Sequence, residues 1–500
     1  MLKIGHFSLD PPDSSAPEPI YRQVATAIES GIREGRLRVG QRLPAERRLA
    51  AALGVSRTTA TNAYRELEAR GILRGRVGHG TTIVAAPEGA AAEAIDWGQR
   101  PSRFASEIAR SFAPGPAYPT DTISFAGGWP DPSLYPRAAL DAIARRLHGR
   151  AGHDVYAPAP AEGDPALREA LAAWLSSMQI AASPDQVIVT AGAQEGLNLL
   201  ARAFLAPGDV VLTERPTWAG AILAFRWAGA EVVGLPMDGH GLRSDVLEEA
   251  IARHRPKLLY TIPTFHNPTG ALMGGERRRQ ILEIATRCRV PIVESDLYGQ
   301  LFFEAPPPAP LKSLDGAGLV IYQGSFSKMA VPGLRVGWLV APTHAVEPLI
   351  AAKMLAGVFT STLAQRLVAG FIGQGHLEPH LALLRREYRV RRDRLVGTLR
   401  ERCPKLAFAI PAGGQYLWTR LPAPLVSRDL LAACREAGVA VREGAAFAPD
   451  GSGDDFVRLC FAALPLRKVG QGAERLAEAI TRAERLLTPR RGMRPRAELV

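Results

Sequence analysis

The chain has only four cysteines in 500 residues, Cys288, Cys403, Cys434 and Cys460, and no two of them form a CxxC pair. They are therefore expected to be reduced, structural thiols rather than a disulfide framework, and no metal site is expected. The N-terminal stretch MLKIGHFSLD lacks the apolar centre of a secretory leader. No run of about 18 apolar residues occurs anywhere, so no membrane partner is expected, and the expectation is a soluble, cytoplasmic protein. Internal repeats are absent as well. What is present is ample apolar content, 47% of the residues, spread over a length that calls for a multidomain chain. The formal charge of +12 fits either contact with a polyanion or a merely solvated basic surface.

The composition shifts near residue 85. Residues 85–94 (AAPEGAAAEA) hold little that could pack, and residues 112–120 (FAPGPAYPT) are rich in proline and glycine. Together they bracket a linker, 85–120, whose middle, around Asp96–Arg110, has room for a short helix. A compact unit, 15–84, precedes it. Residues 121–487 follow as an alternation of helical patterns with short apolar runs. These runs are Val187–Thr190, Val210–Thr213, Leu258–Ile262, Pro291–Glu294, Leu319–Gln323 and Trp338–Val340. That rhythm predicts an α/β domain with a largely parallel sheet. A smaller α+β subdomain is expected from about Thr343 to Leu487. Residues 488–500 form a basic tail with four arginines between positions 490 and 496.

In the first unit, Ile20, Val24, Ile28 and Ile32 share one helical face. Leu43-Pro44-Ala45-Glu46 opens a second, short helix. Gly54-Val55-Ser56 makes a tight turn, with glycine at the stop of one helix and Ser56 as N-cap of the next, Arg57–Arg70. Residues 72–84 place apolar residues on either side of a glycine-rich centre, as a β-ribbon does. The sum is a winged helix-turn-helix of α+β class. Residues 18–84 hold 12 Arg and 6 Glu with no Lys or Asp, a local +6. Arg57, Thr58 and Thr59 occupy the first turn of the third helix, where side chains can reach base edges and amide N–H groups can meet a phosphate. Arg47, His79 and Gly80 are positioned for backbone or minor-groove contact with double-stranded DNA. The stretch LPAERRLAAALGVSRTTATNAYRELEARGILRGRVGHGTTIV resembles the GntR family of bacterial regulators. By that resemblance Arg47, Ser56, Arg57, Thr58, His79 and Gly80 are DNA-binding residues.

The second unit centres on Ser325-Phe-Ser-Lys-Met-Ala-Val-Pro-Gly-Leu-Arg335, where Lys328 offers a Schiff-base amine amid hydroxyl and guanidinium donors. Such a set suits a cofactor with both an aldehyde and a phosphate, of which pyridoxal 5′-phosphate is the common example. Five further stations surround it. Thr190–Gly196 (TAGAQEG) joins a strand to a helix and frees the amides of Ala193 and Gln194 for a phosphate. Trp218, just beyond a strand, can stack on a pyridine ring or fill a core. Asn267, held extended before Pro268, can donate to a phenolic oxygen. Asp296 at a strand end can keep a pyridine nitrogen protonated, and Tyr298 can reach the phenolic oxygen. Arg458 in an apolar strand calls for a bidentate carboxylate, from a ligand or from a neighbour.

Together these motifs resemble fold-type I, class I aminotransferases over roughly residues 121–487. The resemblance implies that Lys328 forms the internal aldimine, Asp296 pairs with the ring nitrogen, and Asn267 and Tyr298 hold the phenolic oxygen. It also implies that Ala193, Gln194, Ser325, Ser327 and Arg335 hold phosphate, that Trp218 stacks, and that Arg458 takes an effector carboxylate. The two halves in this order resemble the MocR/GabR family of transcription regulators. That likeness implies a head-to-tail, domain-swapped homodimer in which a small amino compound forms an external aldimine and alters DNA binding. The alternative is a working aminotransferase that carries a DNA-binding domain. Three departures from the family pattern stand out. The loop Tyr156–Gly163 is about two residues longer than usual, which bears on whether Tyr156 donates to a partner's phosphate. Met178-Gln179 replaces an Arg-Gly pair, and Trp218 stands where tyrosine is usual.

Overall fold

The computed structural model describes residues 2–4, 7–13, 15–76, 80–87, 99–111, 118–149 and 155–487. His79, much of the expected linker and the basic tail lie outside the described residues. Two compact units are formed, Met1–Ser102 and Arg103–Val500.

The first unit begins with a small antiparallel hairpin, β1 (Leu2–Ile4) and β2 (Phe7–Leu9). Three-residue strands are too short to show alternation, so the sequence gives no sign of it. Next come α1 (Ile20–Arg33), β3 (Arg42–Leu43), α2 (Glu46–Leu53) and α3 (Arg57–Ala69). The wing is β4 (Leu73–Arg76) and β5 (Gly80–Ile83), antiparallel, with β3 on the other side of β5. Val24, Ile28 and Ile32 of α1 are buried, as their spacing requires, against Leu49, Leu53, Ala60, Tyr64 and Leu67. The turn after α2 is made by Gly54 at φ 67°, a left-handed cap that costs glycine little.

The second unit starts with α4 (Arg103–Ser111), then β6 (Ile123–Ser124), α5 (Arg137–Gly149) and α6 (Pro165–Ser176). There follow β7 (Val187–Thr190), α7 (Ala193–Phe204), β8 (Val210–Arg215), α8 (Ala219–Trp227), β9 (Glu231–Asp238) and β10 (Gly241–Leu242). After them come α9 (Leu247–His254), β11 (Leu258–Thr261), α10 (Gly275–Cys288), β12 (Ile292–Ser295) and α11 (Leu311–Leu314). Then come β13 (Val320–Ser325), β14 (Gly337–Val340), α12 (Thr343–Ala356), α13 (Thr362–Gly373) and α14 (Leu377–Arg402). The chain closes with β15 (Tyr416–Arg420), α15 (Ser427–Glu436), β16 (Val439–Ala440), β17 (Arg442–Glu443), β18 (Phe456–Cys460) and α16 (Leu466–Leu487).

The large sheet has the order β10-β9-β8-β11-β12-β13-β14-β7. Strands β9, β8, β11, β12 and β13 run parallel, and β14 is antiparallel to both its neighbours. All six expected runs are strands of this sheet. β9 was not expected, because EVVGLPMD carries glycine and proline and lies half exposed beside the short edge strand. The sheet is covered on both faces, and successive residues serve opposite cores. Ile292 and Val320 join Leu212 and Ile281, whereas Val293 and Ile321 join Leu197, Phe225 and Leu349. A smaller sheet, β15-β18-β17, packs with α14, α15 and α16, and β6 pairs in parallel with β16. The segment before α5 thus belongs to the small subdomain, which sequence order does not suggest. Among the described residues no helix is long and apolar enough to cross a membrane, and all four cysteines are free thiols.

Candidate functional site

In the first unit, Ser56 caps α3: its Oγ accepts from the Thr59 amide at 3.0 Å. The Thr61 hydroxyl donates to Glu46 and the Tyr64 hydroxyl to the Pro44 carbonyl, each at 2.8 Å, which fixes α3 against the start of α2. Arg57 and Thr58 are exposed in the first turn of α3, and Arg47 is exposed on α2. Not every arginine here is free for a ligand. Arg33, within α1, and Arg70, at the end of α3, both bind the buried Glu29 carboxylate, at 2.8 and 2.7 Å, and the Arg70 pair ties α1 to α3. Gly80 opens the second wing strand at φ 80°, and His79 lies outside the described residues.

In the second unit, the candidate residues gather at the carboxyl ends of the parallel strands, where open α/β sheets bind ligands. Lys328 follows β13 and is buried. Its Nζ donates to the Gly128 carbonyl at 2.6 Å and lies 4.2 Å from the centre of the Trp129 ring. Burial pulls its amine from 10.5 to about 8; nearby Cys460 opposes this, and the Arg458 and Arg335 charges add to it. A sizeable fraction is therefore neutral, hence nucleophilic, near physiological pH.

Arg458 on β18 donates to Asn267 Oδ1 at 3.1 Å and to the carbonyls of Ala126 and Gly127, both at 2.9 Å. It also lies over the rings of Tyr416 and Phe447, at 4.3 and 4.8 Å. Asn267 Nδ2 in turn donates to the Tyr298 hydroxyl at 3.3 Å, and Tyr298 donates to Tyr416 at 3.4 Å. The Asn267 loop is held from behind by Arg278, fully buried, which donates to Thr264 Oγ1 at 2.9 Å and to the Met273 carbonyl at 3.0 Å. Asp296, just past β12, is buried and accepts from the Gly299 amide at 2.8 Å and the Tyr322 hydroxyl at 3.1 Å. Burial raises its carboxyl pKa, against the pull of Arg278 and of those two donors.

The anion-binding station is built from three elements. Gly192 precedes α7 at φ 91° and brings no side-chain cap, so the first amides of α7, those of Ala193 and Gln194, face outward from the helix end. Ser325 and Ser327 hydroxyls lie 3.1 Å apart. Arg335 donates to Ser327 Oγ at 3.3 Å and to the Ala191 carbonyl at 2.8 Å. Gln194 Nε2 donates to the Gly220 carbonyl at 3.1 Å, and a methyl on Gly220 would lie 2.6 Å from the Trp218 ring. Trp218 and Gln194 are thus neighbours beside this station. Tyr156 is 75% exposed, with its hydroxyl 3.3 Å from His148 Nδ1.

This donor set fits an aldehyde that carries a phosphate: a buried amine, a buried carboxylate, and an anion cup of helix amides, two hydroxyls and a guanidinium. The sequence reading missed Tyr416, Tyr322 and the Gly127–Asp131 segment. A tyrosine within a strand looks like core, so Tyr416 and Tyr322 gave no signal. The Gly-Gly-Trp-Pro-Asp run could have been noticed as a place where backbone approaches a ligand closely.

The family "Aminotransferase class I and II" matches residues 131–476, and "Bacterial regulatory proteins, gntR family" matches residues 20–83. The chain is 33% identical over 483 residues to the uncharacterized HTH-type transcriptional regulator YisV of Bacillus subtilis, covering 94% of this chain and 98% of YisV. It is also 33% identical over 394 residues to the probable rhizopine catabolism regulatory protein MocR of Rhizobium meliloti, covering 78% of each. The solved structure of LysN, an alpha-aminoadipate aminotransferase of Thermus thermophilus complexed with N-(5′-phosphopyridoxyl)-L-leucine, superposes with a TM-score of 0.73. It is 32% identical and covers 79% of this chain and 100% of LysN. The chain belongs to the MocR-type HTH transcriptional regulators, in which a GntR-family DNA-binding domain is fused to a domain of the class I and II aminotransferase family.

Proposed function

We propose that the protein is a pyridoxal 5′-phosphate-dependent transcriptional regulator that senses a small amino compound and changes its hold on double-stranded DNA in response. In this reading residues 15–84 bind DNA, 85–120 link, 121–487 bind the cofactor and effector, and 488–500 form a basic tail. The observation that carries it is the presence in one chain of an exposed, capped α3 and a buried lysine beside an anion cup.

Bound at Lys328, the cofactor supplies an aldehyde that condenses with amines and a ring that withdraws electrons. Lys328 would hold the aldehyde carbon, Asp296 the ring nitrogen, and Asn267 and Tyr298 the phenolic oxygen. Ala193, Gln194, Ser325, Ser327 and Arg335 would hold the phosphate, and Trp218 the ring face. Arg458 would receive an effector carboxylate once its carbonyl partners give way. Arg47, Ser56, Arg57, Thr58, His79 and Gly80 would line the DNA. The working form is a head-to-tail, domain-swapped homodimer, and light scattering of the full chain would test the dimeric state.

Footprinting on DNA flanking the gene, with and without candidate amines, tests the reading. Protection that changes with an amine supports it, and no protection under any condition sinks it. Repeated turnover of an amino donor and a keto acid would favour the aminotransferase alternative.

A further inference from the structure

The segment Ala126–Asp131 runs beside Lys328 and Arg458 and is pinned at three places. Arg458 holds the carbonyls of Ala126 and Gly127, and Lys328 holds that of Gly128. Asp131 forms an ion pair with Arg391 of α14 at 2.9 Å, both side chains 4% exposed, and its amide donates to the Ala462 carbonyl at 3.0 Å. The fit at Gly128 is close: a methyl there would stand 2.7 Å from the Tyr416 hydroxyl and 3.7 Å from Lys328 Nζ. The bonds at Arg458 and Lys328 are the ones an effector takes over, whereas the anchors at Asp131 use neither side chain and keep hold of the backbone two residues from Trp129. The residue is 53% exposed, yet the centre of its ring lies 4.2 Å from the Lys328 nitrogen.

We propose, resting on the sensing reading above, that Trp129 is the specificity-determining residue of the effector site and selects amino acids with aromatic or apolar side chains. An amine that exchanges with Lys328 places its nitrogen where Nζ now stands. The carbon that bears it, and the side chain on that carbon, must then pass the indole face. Aromatic rings also surround Arg458: its guanidinium lies over Tyr416 and Phe447, and Tyr298 meets Tyr416 edge to face with ring centres 5.7 Å apart. Arg458 is engaged by the α-carboxylate in this reading, and Arg391 is already held by Asp131 at 2.9 Å and by the Ala462 carbonyl at 3.3 Å. A second carboxylate on the effector side chain would meet indole and phenol faces, which leave an anion unpaired.

The test is a spectral titration of the full-length protein loaded with pyridoxal 5′-phosphate, using phenylalanine, leucine, glutamate and glycine. The wild type is expected to answer phenylalanine and leucine at lower concentration than glutamate or glycine. In Trp129→Ala the phenylalanine-to-glycine affinity ratio should fall about five- to tenfold, the worth of a lost aromatic face. Trp129→Phe should restore much of it, and Trp129→Leu should lower the phenylalanine ratio while keeping that of leucine. An unchanged ratio in both the Ala and Leu variants, or a wild type that prefers glutamate, overturns the inference alone. A loaded wild type whose spectrum answers none of the four amines overturns this inference, while the sensing reading stands or falls by the footprinting.

Discussion

A methyl group on Gly192 would stand 2.6 Å from Arg335 Nη2, so the guanidinium fills the space that a side chain at position 192 would need. Gly192 also holds φ 91°, a conformation other residues adopt at a cost. Gly192→Ala should therefore displace Arg335 and tilt the first amides of α7. We expect affinity for pyridoxal 5′-phosphate to drop roughly ten- to a hundredfold, in line with 1–3 kcal/mol of local strain. Binding of pyridoxal, which lacks the phosphate, should change far less. Equilibrium titration with both compounds decides the matter, and equal losses would place the damage elsewhere than at an anion cup.

Arg57 is exposed in the first turn of α3, whereas Ser56 is committed to capping that helix. Arg57→Ala should weaken DNA binding and reduce the slope of log affinity against log salt by about one, if it contacts a phosphate. Ser56→Ala should instead cost about 1 kcal/mol of helix stability by removing the cap. Fluorescence anisotropy across a salt series, together with thermal unfolding, separates the two. A Ser56→Ala variant that melts like the wild type would contradict the capping role.

Lys353 of α12 is buried and donates to the Val189 carbonyl, just before the loop that carries Gly192. Burial lowers its amine from 10.5 to about 8, while Glu195 and Glu162 pull the other way. Because the folded pKa is below the unfolded one, the unfolded chain binds more protons between them. Stability from this group therefore rises with pH from about 8 to about 10.5 and is lost as pH falls through that window. The wild-type stability minus that of Lys353→Met should grow across it by on the order of 1 kcal/mol per pH unit. Denaturant unfolding of the apo protein at several pH values measures this, and a flat difference would mean the amine is not held as buried.

Arg458 makes three hydrogen bonds from its two terminal nitrogens in this structure, and its buried Nε has no partner among the described residues. Replacing the planar fork with lysine keeps the charge and removes the bidentate geometry. Arg458→Lys should thus lower affinity for amino acids by roughly ten- to a hundredfold, the loss of a charged hydrogen bond or two. Matching decarboxylated amines should lose less. A spectral titration with phenylalanine and phenethylamine compares them directly, and equal losses would argue against a carboxylate at Arg458.

The sequence motifs that proved legible are those whose meaning is local. Four-residue spacing of Val24, Ile28 and Ile32 gives a buried helical face, and Gly54 and Ser56 give a stop and a cap, because each acts within a turn or two of backbone. The six apolar runs of the large sheet were readable because strands buried on both faces need unbroken apolar sequence. β9 was not, since its glycine and proline are tolerated only near the sheet edge, and edge position depends on strand order.

What the chain's own text determined about this protein is its parts: a capped helix-turn-helix with a basic surface, a lysine amid hydroxyls and an arginine, and a carboxylate at a strand end. Tertiary structure alone decided who meets whom. Arg458 reaches Asn267 across 191 positions, Lys328 reaches Gly128 across 200, and Asp131 reaches Arg391 across 260. Such pairs arise from strand order and from the small subdomain recruiting the segment before α5. No local spacing encodes them, because the free energy that selects them is the burial of whole elements against one another.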